Sequence, residues 1–416
     1  KKKILALAVS GGLAAAPMGA MAAPEIYGLI DIGLESYTDS DGVGDQIFQG
    51  LNSVAGNSDD RDFGLSNGLQ SRIGVRGSEE LGVADLTASY NMEFSVDVLN
   101  EDGGTASGDL GTRLGWVALG SDWGKIKVGS QWQALYEFGG WNTHRTDVHG
   151  YGSYYYTTGN LSNSLAFGFR QDSAISYEYG SAWGHSDPIA AQITLGIGEG
   201  QNSVGTDYYD GTGTNGVIAD NSATVENQEG ISSLQAAIQY SFAESVSVNA
   251  VFATEFNDYD QGTYEDAVVD NANIDYQYTL SDAQSAAQAA NAEPKLYNVG
   301  ARWSVTDALE LSANYTNVDL DNGGDDSVDS IAVASFMDFG NGLSGHLGVA
   351  QASDDRNTVA DLDLNVYGYI KQALSDRTDI RLELETADYD DSVDSDGNAV
   401  SGGTATVALV ALQHNF

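Results

Sequence analysis

Arg72 and Arg76 stand four residues apart, Lys125 and Lys127 stand two apart, and Arg113 lies between the pairs in the chain. Alternate side chains of a strand point to opposite faces, so each pair shares a face and opposes Ile73 and Val75, or Ile126 and Val128. By the same phase Arg113 opposes Leu114 and Trp116. Five cations on one side of three early strands are conspicuous in a chain with 17 Lys+Arg against 60 Asp+Glu and a formal charge of -43. Fixed charge in such a row can select among ions and polar solutes, or can simply pair with neighbouring carboxylates.

Other chemistry has little support. The chain holds no Cys, which removes disulfides, thiolate metal sites and cysteine nucleophiles. Its five histidines, His144, His149, His185, His346 and His414, form no HExxH or other recognisable nucleophile or metal arrangement. A serine hydrolase using His144 or His149 is the remaining enzymatic alternative, and the expectation is no enzyme. Asp39-Ser40-Asp41-Gly42 and Asp394-Ser395-Asp396-Gly397 have the oxygens of calcium loops but lack the third ligand and closing Glu of an EF-hand. No metal site or cofactor is therefore expected, beyond weakly bound divalent cations at acidic loops. Nucleic acid is a poor partner for so acidic a protein, because phosphate binding needs Lys and Arg.

The elements that position the cations read as strands. In 378 to 385, Ile380, Leu382 and Leu384 alternate with Asp379, Arg381, Glu383 and Glu385, and 361 to 370 and 86 to 94 repeat the pattern. Sixteen such segments run approximately 25 to 37, 69 to 78, 84 to 95, 111 to 120, 124 to 132, 169 to 179, 189 to 198, 231 to 241, 245 to 257, 295 to 304, 308 to 319, 329 to 339, 343 to 352, 361 to 373, 378 to 389 and 404 to 416. Short turns interleave with long polar connections at 38 to 68, 133 to 168, 199 to 230 and 258 to 294, the last holding an Ala-rich helical stretch at 281 to 292. Alternating short and long ends are the pattern of an outer-membrane barrel. A soluble sandwich also alternates, but the charges stacked along 381 to 385 suit a face turned to enclosed water. Residues 1–22 read as a secretory signal: Lys1, Lys2 and Lys3, an apolar stretch broken by Gly11, Gly12 and Pro17, then Ala20-Met21-Ala22. The expected fold of 23–416 is an all-β transmembrane antiparallel β-barrel of sixteen strands, wide enough for an aqueous channel.

Several pieces resemble Gram-negative general-diffusion porins, in order along the mature chain. Ser71-Arg72-Ile73-Gly74-Val75-Arg76-Gly77-Ser78-Glu79-Glu80-Leu81-Gly82 resembles the family's second strand and first periplasmic turn. Gly111-Thr112-Arg113-Leu114-Gly115-Trp116 and Trp123-Gly124-Lys125-Ile126-Lys127 resemble its fourth and fifth strands, and 170 to 177 the strand after its constriction loop. The end, His414-Asn415-Phe416, is similar to its assembly signal. The resemblance implies a homotrimer in the bacterial outer membrane, among lipids and lipopolysaccharide, and a third outer loop folded inward from about 132 to 169. In that loop Glu137-Phe138-Gly139-Gly140 is similar to a family acidic motif. Glu137 and Asp147 would then face the wall of Arg72, Arg76, Arg113, Lys125 and Lys127 across a constriction, with Arg145 a candidate tether.

The function expected is passive diffusion of small polar solutes and ions, selected by size and charge. About half of the 60 acids fall on loops or their edges, which favours cations, whereas the basic wall favours anions. Two alternatives remain: a secreted calcium-binding surface or adhesion β-protein, and a channel specific for one solute.

Overall fold

In the computed structural model the alternating segments become strands whose apolar rows face outward. On one of them Ile380, Leu382 and Leu384 are 42%, 52% and 56% exposed, while Arg381, Glu383 and Glu385 between them are buried. A soluble protein would invert this arrangement. The structure describes residues 24–39, 61–66, 71–96, 98–99, 111–140, 170–182, 187–197, 230–243, 245–256, 294–319, 327–355, 361–393 and 399–416.

In chain order the strands are β1 (Glu25–Asp39), β2 in two pieces (Arg61–Ser66 and Arg72–Glu80), β3 (Thr87–Ser95), β4 (Gly111–Ser121), β5 (Gly124–Trp132), β6 (Arg170–Tyr179), β7 (Ile189–Ile197) and β8 (Ile231–Ala243). They continue as β9 (Val246–Glu255), β10 (Lys295–Ser304), β11 (Leu309–Asp319), β12 (Ser327–Gly340), β13 (Leu343–Asp354), β14 (Leu362–Ser375), β15 (Thr378–Tyr389) and β16 (Gly403–Asn415). All pair antiparallel with their neighbours in one sheet of 17 segments, hence sixteen wall strands, since both pieces of β2 lie along β1. Closure comes from β1 on β16, in register from Leu29↔Asn415 to Asp39↔Ala405. The sheet has no free edge, as a sheet in hydrocarbon requires.

Every expected strand is present. The expected connection 38 to 68 is corrected, because Arg61–Ser66 within it pairs with β1. Its brevity and its polar flanks, Asp59-Asp60 and Asn67-Gly68, hid it. A small hairpin of Ser392–Val393 with Ala399–Val400 was also not anticipated. The signal sequence, the helical stretch at 281 to 292, and Arg145 and Asp147 lie outside the described residues.

Local chemistry explains the tight turns. Between β12 and β13, Asn341 and Gly342 both take positive φ, 55° and 78°, the conformation of a two-residue hairpin and one that Asn-Gly adopts readily. Around that end of the barrel, Trp123, Tyr177, Tyr179, Tyr240, Phe242 and Trp303 point outward as an aromatic girdle. The Trp123 and Tyr177 rings stack there with centroids 6.3 Å apart.

The outward rows generate a direct test. Leu382→Arg, on the lipid face of β15, is expected to destabilise the barrel folded in lipid vesicles by about 2–4 kcal/mol if it sits near the bilayer midplane. Urea titrations of refolding into vesicles measure this, and a soluble sandwich would show no such lipid-specific loss.

Candidate functional site

The inner face of β1 to β4 gathers charge around Glu93. Glu93 accepts from Arg113 Nε at 2.8 Å and from the Tyr27 hydroxyl at 2.9 Å, and Arg72 Nε lies 3.5 Å away. Tyr27 reaches it by lying across Gly74, where an added Cβ would sit 2.4 Å from the ring, so β2 needs glycine at this level. Arg113 arrives inside by a different route from strict alternation. Glu93 pairs with Leu114 and Phe94 with Thr112, so Arg113 is the extra residue of a β-bulge. Leu114 and Trp116 are therefore also inward. The expected opposition of Arg113 to those two side chains is corrected, while the inward position of Arg113 stands.

A second group forms on β5 and β6. Glu178 pairs with Lys125 Nζ at 2.8 Å and with Lys127, and Lys127 also lies over the Trp116 ring, 5.0 Å from its centroid. Arg76 is separate, nearer the short-turn end. It makes a two-pronged bond to Glu25, 2.8 Å from each donor, and sits over the Tyr27 ring in an exposed position. The structure thus joins Arg72 with Arg113 and Lys125 with Lys127, leaves Arg76 at the rim, and gives each of the five bases a carboxylate.

After β5 the chain turns against the inner wall. Residues 133–140 include a single wide helical turn, Leu135–Gly140, with Leu135 and Phe138 buried. The Leu135 amide donates to Gln235 Oε1 of β8 at 3.0 Å, and Asn314 of β11 donates to the Gly139 carbonyl at 3.0 Å. Glu137 lies on this segment, in the field of Lys127, Lys125 and Glu178. Burial pushes its carboxyl up to about 7 against the pull of Lys127, with Glu178 adding to the rise and Lys125 opposing it. Phe416 closes the short-turn end: it exchanges backbone bonds of 3.1 Å with Gly28, over which its ring packs.

A further inner patch, not expected as a site from the sequence, lies at the closing seam. Arg381 of β15 bonds Asp31 of β1 at 2.7 Å and also contacts Glu383, with Asp379 3.9 Å away. To do so it spans β16 above the small Ala411, its register partner. Glu35 and Glu385 are buried on the same two strands. The period-two rows already put Glu93, Arg381, Glu383 and Glu385 on polar faces. What they could not reveal is which rows meet across the closing seam.

A family model described as Gram-negative porin matches residues 6–392. No curated protein sequence matches the chain. Among solved structures, the anion-selective porin from Comamonas acidovorans is similar at 16% identity and TM-score 0.59, with 95% of this chain and 99% of that chain covered. Salmonella typhi OmpF in complex with daunomycin is 14% identical at TM-score 0.58, covering 94% and 97%. The trimer form of in-vitro folded Vibrio cholerae OmpT is 14% identical at TM-score 0.55, covering 94% and 99%. At these identities the structures speak for the fold, and the family model for kinship: the chain belongs to the Gram-negative porin family of the bacterial outer membrane.

Proposed function

We propose that this porin is a passive diffusion channel, not an enzyme, whose waist is formed by Arg72, Arg113, Lys125 and Lys127 opposite Glu137, and that it favours cations. The observation that carries the ion preference is the pairing of the basic row. Arg72 and Arg113 share Glu93, and both lysines share Glu178, so these two carboxylates offset half of the positive charge of the four bases. At the seam, Asp31, Asp379 and Glu383 lie against Arg381, and Glu35 and Glu385 are buried on the same two strands. Partly buried charge is weakly screened by salt, so this patch projects a negative potential into the lumen. Arg76 belongs to the rim, Arg145 and Asp147 remain candidate contributors from the loop, and Phe416 is proposed as the assembly signal.

The same reading includes a homotrimer. Divalent cations would bridge acidic outer connections, rich in Asp and Glu, to lipopolysaccharide. The calcium-binding adhesion alternative is disfavoured by an apolar outer wall suited to lipid. The candidate calcium loops at 39–42 and 394–397 lie outside the described residues, save for the backbone of Asp39. A solute-specific channel would reveal itself as block of the current by low concentrations of one solute.

Planar bilayers test the proposal. Purified protein should insert with conductance steps in multiples of three, and reversal potentials in a KCl gradient should have the sign of K⁺ preference; anion preference would refute the charge argument. Neutralising the partners, in a Glu93→Gln and Glu178→Gln double variant, should shift the permeability ratio several-fold toward Cl⁻. Glu137 adds a pH dependence. Its raised carboxyl ionises later than that of an ordinary glutamate, so K⁺ preference should rise as pH climbs above the usual carboxylate range, and Glu137→Gln should abolish this rise.

A further inference from the structure

Tyr136 stacks on Trp132 of β5 with ring centroids 4.5 Å apart, and among the described residues the hydrogen bonds that join residues 133–140 to the wall run through carboxamides. Gln235 of β8 accepts from the Leu135 amide at 3.0 Å and donates to Gln133, which donates in turn to the Arg170 carbonyl at 3.2 Å and to Gln171 Oε1 at 3.3 Å. Gln171 Oε1 also accepts from Ser233 at 3.1 Å. At the far end Asn314 donates to the Gly139 carbonyl at 3.0 Å, and Asn298 fixes Asn314 by donating to its Oδ1 at 2.7 Å and to Thr316 at 2.8 Å. Gln133, Gln235, Asn298 and Asn314 are all buried. Gly139 itself is required for the fit, since an added Cβ would lie 2.5 Å from Asn298 Oδ1.

Charged groups surround this bracket without entering it. Glu137 is on the segment, Lys125, Lys127 and Glu178 face it from β5 and β6, Glu255 ends β9, and Arg302 pairs with Glu310 at 3.0 Å on β10 and β11. None of them donates or accepts in the bonds just described, where Arg170 contributes its backbone carbonyl alone. A neutral amide stays both donor and acceptor at any physiological pH, and burial shields it from salt. A carboxylate in the same place would gain or lose a proton with pH and cost far more to bury.

We propose that this carboxamide bracket is a latch that holds residues 133–140 against the wall of β8 to β11, and so keeps the pore's free cross-section constant while its charge changes with pH. The inference rests on the diffusion-channel reading. It separates two properties of the waist: ion preference follows titratable side chains, and size exclusion follows side chains that do not titrate.

The test uses the full-length porin in planar bilayers and neutral polyethylene glycols of graded size, whose entry reports cross-section independently of ion preference. For the unaltered protein the exclusion size should be the same from about pH 4 to about pH 8, spanning the carboxyl range. Asn314→Asp should match it at acid pH, where a protonated carboxyl can still donate to the Gly139 carbonyl. Above that range the ionised side chain cannot donate, and polymers of intermediate size should enter several-fold more readily. A merely structural role for Asn314 would not produce an exclusion size that switches reversibly with pH. Gln235→Glu, which loses its donor to Gln133 on ionisation, provides the same test at the other end if Asn314→Asp fails to assemble. Wild-type exclusion that shifts with pH overturns the latch, as do variants that keep the wild-type size at every pH. Absence of any conductance from the wild-type protein would instead overturn the channel reading.

Discussion

Hydrocarbon offers no partner to a backbone N–H or C=O, and from that single constraint most of this molecule follows. A sheet in lipid must close, so β1 meets β16 and no edge is left. Closure turns one face of every strand to lipid and the other to an enclosed space, which inverts the usual rule of apolar inside and polar outside. Leu382 and Leu384 point out and Arg381 and Glu383 point in for the same reason. The Arg381 to Asp31 bond then joins residues 350 positions apart across the closing seam, a contact that exists only because the barrel is shut.

Inside, charge is arranged in compact groups centred on carboxylates. Glu93 serves Arg72, Arg113 and Tyr27, and Glu178 serves two lysines. Such pairing limits the desolvation cost of side chains that are partly withdrawn from water, and it lowers the net field of the basic row. Shape is maintained by different means, through buried amides that are indifferent to proton concentration. A channel that must discriminate by both size and charge benefits from assigning them to separate side chains, because a change in one then leaves the other in place.

Much of this was legible in the chain itself. Period-two alternation located all sixteen wall strands because each strand has two chemically opposite faces, lipid and lumen, and every residue reports one of them. The failures share a cause: they lie where alternation breaks or where distant strands meet. Arg113 sits in a bulge, which strict phase cannot anticipate, and it reached the correct face although its expected neighbours did not. Arg61–Ser66 is only six residues long, too short for the alternation of Phe63 and Leu65 to stand out. The meeting of Gln235 with Leu135, 100 positions apart, depends on how the chain after β5 turns inward, and nothing in local sequence encodes that direction.

The most direct measurement follows from the absence of native Cys, which lets single cysteines be placed at will along β15 and β5. Spin labels at successive positions from 380 to 385 and from 125 to 128, in protein reconstituted into lipid, would be probed for collision with lipid-dissolved oxygen and with a water-soluble nickel chelate. The expected result is oxygen contact at Ile380, Leu382, Leu384, Ile126 and Val128, alternating with its absence at the residues between them. Uniform water contact along both strands, or outward positions shielded from lipid and water alike, would contradict the barrel's inside-out arrangement and the transport function built on it.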